Sequence, residues 1–261
     1  MLALVNKGLR ATAGILLVPV AVVTLAQDVP ESKEMTDSVD PSELLLSADT
    51  IRFPRDSFQT EITVINFRDE EIDETRVYRV LSKGNENTIV LTVEPASERG
   101  QALLMKGRNL WIYLPSVSQP VRLSLSQRLT GQVANGDLAR ANFAGDYDAT
   151  LLRVDDYEGE AAIVLELTAA AKGVTYDRVH YWIDADDNRP LLAEFYARSG
   201  RLLKTMRYEE FKELAGAVRP TKLVIDDALK PGRRSVLSYT TMALRDLPEH
   251  IFTRDYLKRL Q

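Results

Sequence analysis

The chain has 261 residues, a net charge of −5 and no cysteine. The missing thiol excludes disulfides, thiolate metal sites and a lipid-acceptor cysteine. The acidic balance gives no support to nucleic-acid binding or to electrostatic adhesion on anionic lipid. Lys7 and Arg10 form a positive leader to the apolar run Gly14 to Val23, and Ala26 offers a small residue for cleavage, so residues 1–26 read as a secretory signal peptide. The run is shorter than the roughly 20 residues that span a bilayer, and Arg10 has no arginine neighbour, so export by the Sec route is expected. Loss of Lys7 and Arg10 takes the net charge from −5 to −7, with 31 basic against 38 acidic residues. The product is expected to be a periplasmic chain without a lipid anchor.

Residues 27–39 are polar and acidic and read as a disordered leader. Asp40-Pro41-Ser42-Glu43 places a capping acid before a proline at the first helical position, predicting a short helix that carries Leu44, Leu45 and Leu46. Strands follow near Phe58 to Phe67, Glu74 to Leu81 and Thr88 to Glu94, with Lys83 to Asn87 as a hairpin turn. Leu103 to Met105 runs into the turn Gly107-Arg108-Asn109, then Leu110 to Leu114 ends at Pro115, as in a hairpin. Val121, Leu123 and Leu125 alternate with Arg122 and Ser124, the period of a strand with one wetter face.

Asn135-Gly136-Asp137 predicts a short helix through Leu138 and Phe143. Strands are expected near Tyr147 to Asp155, Ala161 to Thr168, Val174 to Asp184, Leu191 to Arg198, Leu202 to Phe211, Thr221 to Asp227 and Ser235 to Leu244. Turns at Glu158-Gly159, Asp186 to Asn188, Ser199-Gly200 and Pro231-Gly232 make them an antiparallel meander. A last helix capped by Thr253 should run to Leu260. About 11 strands with few helices fit either a sandwich or a strongly curved sheet approaching a barrel. Several strands carry apolar residues on both faces, Leu191, Ala193 and Phe195 against Leu192 and Tyr196 for instance. Their second face must therefore meet helices, another sheet or a ligand.

The stretch from Gly100 through Leu103 to Lys106, Gly107 to Asn109 and Leu110-Trp111-Ile112-Tyr113-Leu114-Pro115 resembles the signature region of the LolA-like outer-membrane lipoprotein-sorting family. The likeness continues in Gly131 to Leu138, Tyr176 to Asp184, Leu203-Lys204-Thr205, Leu247-Pro248, Ile251-Phe252-Thr253 and Leu257, so it covers residues 40–261 as one carrier domain. The resemblance implies an open, half-closed antiparallel β-barrel whose concave side is covered by helices and holds acyl chains. It implies a periplasmic carrier that moves a lipid or lipidated protein between inner and outer membrane, with transient membrane contact. An inner-membrane transporter of the ABC or RND/MMPL type is the partner it implies. The alternative from another class is a lipid-sensing or adaptor domain docking on an envelope transporter or regulator.

Candidate lipid-binding side chains are Leu103 and Met105, on one face of their strand, Trp111 and Tyr113, on one face of the next, and Leu123. Apolar, adaptable side chains of this kind suit a hydrocarbon ligand. In the family an arginine beneath the helical lid helps hold the empty cavity closed, and Arg76, Arg79 and Arg99 are the candidates here. No nucleophile elbow, phosphate loop or zinc-protease helix motif occurs, so no catalytic residue, metal or cofactor is expected. Asp184 to Asn188 begins like a calcium loop, but Arg189 stands where glycine is required and Phe195 where the bidentate glutamate belongs. It reads as a hairpin turn.

Overall fold

The structure, a computed structural model, describes residues 39–259 other than 118 and 141. The expected signal peptide and all of the leader except Val39 lie outside the described residues. Fifteen strands are present: β1 (Phe58–Arg68), β2 (Glu71–Lys83), β3 (Asn87–Glu94), β4 (Ala102–Lys106), β5 (Asn109–Tyr113), β6 (Val121–Leu123), β7 (Arg128–Thr130) and β8 (Val133–Ala134), then β9 (Tyr147–Tyr157), β10 (Glu160–Ala169), β11 (Arg178–Asp184), β12 (Pro190–Tyr196), β13 (Leu202–Leu214), β14 (Ala217–Asp227) and β15 (Arg233–Leu244). The α-helices among the described residues are α1 (Pro41–Arg52), α2 (Asn135–Ala139) and α3 (Arg254–Leu257).

Thirteen strands form one antiparallel sheet in the order β6-β5-β4-β3-β2-β1-β15-β14-β13-β12-β11-β10-β9. Every neighbour pair is consecutive in sequence except β1 and β15, which join two meanders at the centre, with Val64 opposite Leu237. The ends β6 and β9 do not meet, so the sheet is open. β7 and β8 form a separate small hairpin. The count exceeds the expected figure of about eleven, and the two strands not anticipated are β7 and β8, on either side of the turn Gly131-Gln132.

One face of nearly every long strand contributes to a single core: Ile62 and Val64 from β1, Met105 from β4, Leu165 from β10, Tyr181 from β11 and Leu237 from β15, together with Leu45 and Ala48 of α1. A sheet whose thirteen strands share one core must curl around what fills it, and α1 and α2 lie inside that curl. Two smaller apolar clusters sit on the outer face. In one, Leu247, Ile251, Phe252 and Leu257 of the C-terminal segment cover Ile89, Leu104 and Tyr113. In the other, Ala162, Val164, Trp182 and Leu191 pack together, with the Trp182 indole donating to Asp155 at 3.1 Å.

α2 and the β7–β8 hairpin are fastened inside the curl by polar bonds. The hairpin stands on Asn66 and Ser235: Asn66 Nδ2 donates to Thr130 Oγ1 at 2.7 Å, and Gln132 N–H donates to Ser235 Oγ at 2.8 Å. Gly131, at φ +48°, touches both, and a Cβ there would overlap the Asn66 side chain. The side chain of Asp137 in α2 is buried and accepts from Lys204 Nζ at 2.6 Å, from the Tyr176 hydroxyl at 2.8 Å and from Ala134 N–H at 2.7 Å. Burial pushes the Lys204 ammonium below its ordinary value, with Asp137 opposing.

These bonds explain two departures from the expected elements. The strand anticipated from Val174 begins only at Arg178, because Tyr176 turns inward to Asp137 and its N–H meets the Tyr147 hydroxyl at 3.2 Å. The helix anticipated through Phe143 stops at Ala139, because Arg140 swings into a buried site with Asp146, reaching Glu86 and the Gly107 carbonyl as well. The Asp184 turn is as expected: its carboxylate accepts from the N–H groups of Asp186 and Asp187.

Lys204→Met leaves the Asp137 carboxylate buried without its cation and should cost about 3 kcal/mol in denaturant unfolding. Arg79→Met breaks an exposed 3.6 Å pair with Glu61 and should change stability by less than about 0.5 kcal/mol.

Candidate functional site: the inner face beneath helix α1

Helix α1 is built as its sequence predicts. The Asp40 carboxylate accepts from the N–H groups of Ser42 at 2.8 Å and Glu43 at 3.4 Å, and Pro41 takes the first helical position. Leu44, Leu45 and Ala48 turn into the core and Leu46 faces solvent. The helix crosses β9, β12 and β14, so it closes the inner face of the C-terminal half of the sheet. From the β11–β12 turn, Asn188 Nδ2 donates to Ser47 Oγ at 3.2 Å.

The last turn of α1 carries a charged pair on its buried side. Asp49 and Arg52 bond at 3.0 Å and both are 7% exposed. The other Asp49 oxygen accepts from Ala144 N–H at 2.7 Å. Burial nevertheless holds the Asp49 carboxyl above its usual range, against the pull of Arg52. The Arg52 guanidinium lies 4.2 Å from the centre of the Phe143 ring and 5.7 Å from those of Phe53 and Tyr208. Tyr181 and Tyr208 pack edge to face with ring centres 6.0 Å apart, and Tyr239 meets Phe53 edge to face at 5.7 Å. Three phenols and one guanidinium thus share a small polar floor within an apolar face.

The helix is pinned at this same end. Arg219 on β14 donates from Nη1 to the carbonyls of Thr50 at 2.7 Å and Ile51 at 3.0 Å, and from Nε to the Leu214 carbonyl. Helix C-termini leave carbonyls unsatisfied, and a cation there supplies both hydrogen bonds and charge complementarity. None of the three arginines expected in this role touches α1. Arg76 bridges Glu74 and Glu98, Arg79 faces Glu61 on the outer side, and Arg99 Nε donates to the Val93 carbonyl. The expectation looked near the signature segment, but the helix lies over the other half of the sheet.

The five candidate lipid-binding residues divide between faces. Leu103 and Met105 are buried on the inner face, and Leu123 is half-buried against the same core. Trp111 and Tyr113 point the other way, because Leu104 stands opposite Trp111 and Ala102 opposite Tyr113 in the β4–β5 register. They pack under the C-terminal segment, with Arg254 over the Trp111 ring at 5.8 Å. Asp49, Arg52, Arg219 and the tyrosines escaped the sequence reading. The signal for the first two was present, since Leu45, Ala48, Asp49 and Arg52 follow helical spacing and put a charged pair on the apolar side.

A cleft of about 710 Å³ opens between the 170–177 loop and the ends of β11 and β12, lined by Ala169, Val174, Tyr176 and Arg178 among others. A neighbouring recess of about 180 Å³ shares Ser126 and Tyr176 with it and reaches Lys204. Between them they border the Asp137 cluster, not the floor beneath α1.

The family described as "Uncharacterized protein" matches residues 84–259. The structure of a LolA superfamily protein from Nitrosomonas europaea is 57% identical, covers 84% of this chain and 100% of its own, and superposes with a TM-score of 0.80. A domain named as an outer membrane lipoprotein-sorting protein, from Vibrio parahaemolyticus, has the same fold at 23% identity, covering 84% of this chain and 98% of its own with a TM-score of 0.72. Among proteins with curated functional descriptions, none matches.

Arg219→Met removes the donors to the last carbonyls of α1. Two or three hydrogen bonds at about 1 kcal/mol each predict at least tenfold faster amide exchange in residues 44–52, while exchange in β11 to β13 stays unchanged. Equal exchange in both regions would show that Arg219 does not pin the helix.

Proposed function

Because this chain belongs to the LolA superfamily, we propose that it is a non-enzymatic periplasmic carrier, which shelters the acyl chains of a lipid or lipidated protein against the inner face of its open sheet. The observation that carries this reading is the cover itself: a helix laid over an apolar inner face, fixed by polar bonds at one end and by a few aliphatic side chains along its length. Burial of Leu44, Leu45 and Ala48 is worth about 4–7 kcal/mol. An acyl chain with ~15 methylenes gains on the order of 12 kcal/mol by leaving water. A ligand of that size therefore outweighs the cover it displaces, and release to a membrane follows when the chain finds a bilayer instead. Leu103, Met105 and Leu123 belong to the proposed lining; Trp111 and Tyr113, facing outward, do not.

The route is proposed to run between inner and outer membrane, with an envelope transporter as donor. Native mass spectrometry with lipid extraction, on the exported protein purified without detergent, should find phospholipid or acyl species near one per chain. A clean apo mass together with no uptake of fluorescent fatty acid would overturn the carrier reading in favour of an adaptor that docks on a transporter. Leu103→Gln should abolish uptake in a protein that still melts cooperatively. Trp111→Ala should lower Tm by loosening the C-terminal segment while uptake persists.

A further inference from the structure

The polar floor beneath α1 leaves buried donors unpaired. Arg52 spends Nη1 on Asp49, while its Nε is buried with no hydrogen-bond partner among the described residues. The Tyr239 hydroxyl is likewise buried without one. The hydroxyls of Tyr181 and Tyr208 are also buried without a hydrogen-bond partner among the described residues, so each has an O–H left to donate. The Asp49 carboxylate already serves Arg52 and Ala144 with its two oxygens. Buried donors without acceptors are rare and costly, and hydrocarbon cannot satisfy them.

We propose that Arg52 and the hydroxyls of Tyr181, Tyr208 and Tyr239 form the seat of an oxyanion, so that the cargo is an amphiphile whose carboxylate or phosphate docks beneath the last turn of α1. This rests on the carrier reading above and narrows its cargo. An oxyanion offers several lone pairs, enough to take the Arg52 Nε–H and the free hydroxyl hydrogens together, and planar guanidinium recognition is what arginine does best. The position suits the motion required. Arg219 holds the Thr50 and Ile51 carbonyls, and Phe53 leads within five residues into β1, so the C-terminal end of α1 is the tethered one. The opposite end is held by Leu44 and Leu45 and by the Asn188 contact to Ser47. Opening from the N-terminal end uncovers the apolar face for the chain and leaves Arg52 in place for the head.

The test compares three probes on the delipidated full-length exported protein: hexadecanoic acid, its methyl ester and 1-palmitoyl-glycerol 3-phosphate. A charge-assisted site predicts that at least one of the anionic probes binds about tenfold or more tighter than the ester. Preference for the acid identifies a free carboxylate, and preference for the phosphate identifies a phospholipid head. In Tyr208→Phe/Tyr239→Phe, which keeps the rings and removes the hydroxyls, the affinity for the preferred anion should fall until selectivity is within about twofold. Arg52→Gln should do the same. Equal affinity for all three probes in the native protein, or selectivity that survives in the double Phe variant, overturns the oxyanion seat and leaves the carrier reading standing. No binding of any probe removes both.

Discussion

An antiparallel sheet that curls without closing creates a face too apolar for water and too concave for another sheet to fill. Everything else in this molecule answers that constraint. α1 covers the half built from β9 to β14, while α2 and the β7–β8 hairpin are each held by their own polar fastening. Edges carry the same constraint in another form. β6 is only three residues long, and β9 is interrupted by a register shift opposite Val164 and Leu165 and carries Arg153, Asp155 and Asp156. Short, bulged or charged edges resist pairing with a foreign strand, so the sheet stays open without becoming adhesive.

The two internal anchors differ in kind. Lys204 and Asp137 form a buried pair whose carboxylate is fully bonded, which makes α2 costly to remove. The Asp49–Arg52 pair beneath α1 is less complete, with Arg52 Nε unspent and phenols crowded around it. A buried ion pair adds little net stability even when well made, and one left short of partners adds less. α2 is therefore a fixed part of the wall, and α1 is the cover the protein can lift at small expense. Fold and function meet in that difference: the sheet is the same on both sides, but the satisfaction of its polar groups is not.

Much of this was legible in the residues. Asp40-Pro41 announced α1, glycine and asparagine turns marked the hairpins, and alternation placed Leu103 with Met105 and Trp111 with Tyr113. Which face was inner could not be read, because β4 is apolar on both: Leu103 and Met105 meet the core while Ala102 and Leu104 meet the C-terminal segment. A period of two is blind to that choice when both faces are covered. The pinning arginine was misplaced for a related reason. Arg219 lies about 170 residues from the carbonyls it holds, and a long-range contact of one side chain with backbone leaves no local pattern. Tyr176 and Arg140 shortened their elements through bonds to Asp137 and Glu86 that span 39 and 54 residues.

The seam between β1 and β15 has a consequence for how the chain acquires its structure. Each flanking meander is local, its strands joined by short turns, so either half can begin to form as soon as its own residues are available. The middle of the sheet, by contrast, pairs the first strand with the last: Phe58 opposes Leu244. The central ladder therefore waits for nearly the entire chain, and with it waits the single core that spans both halves. Loop-closure entropy over such a separation makes this the slow step of folding. A chain so stitched cannot complete its sheet before β15 is present, and truncation between β14 and β15 leaves two unjoined ribbons with bare apolar flanks.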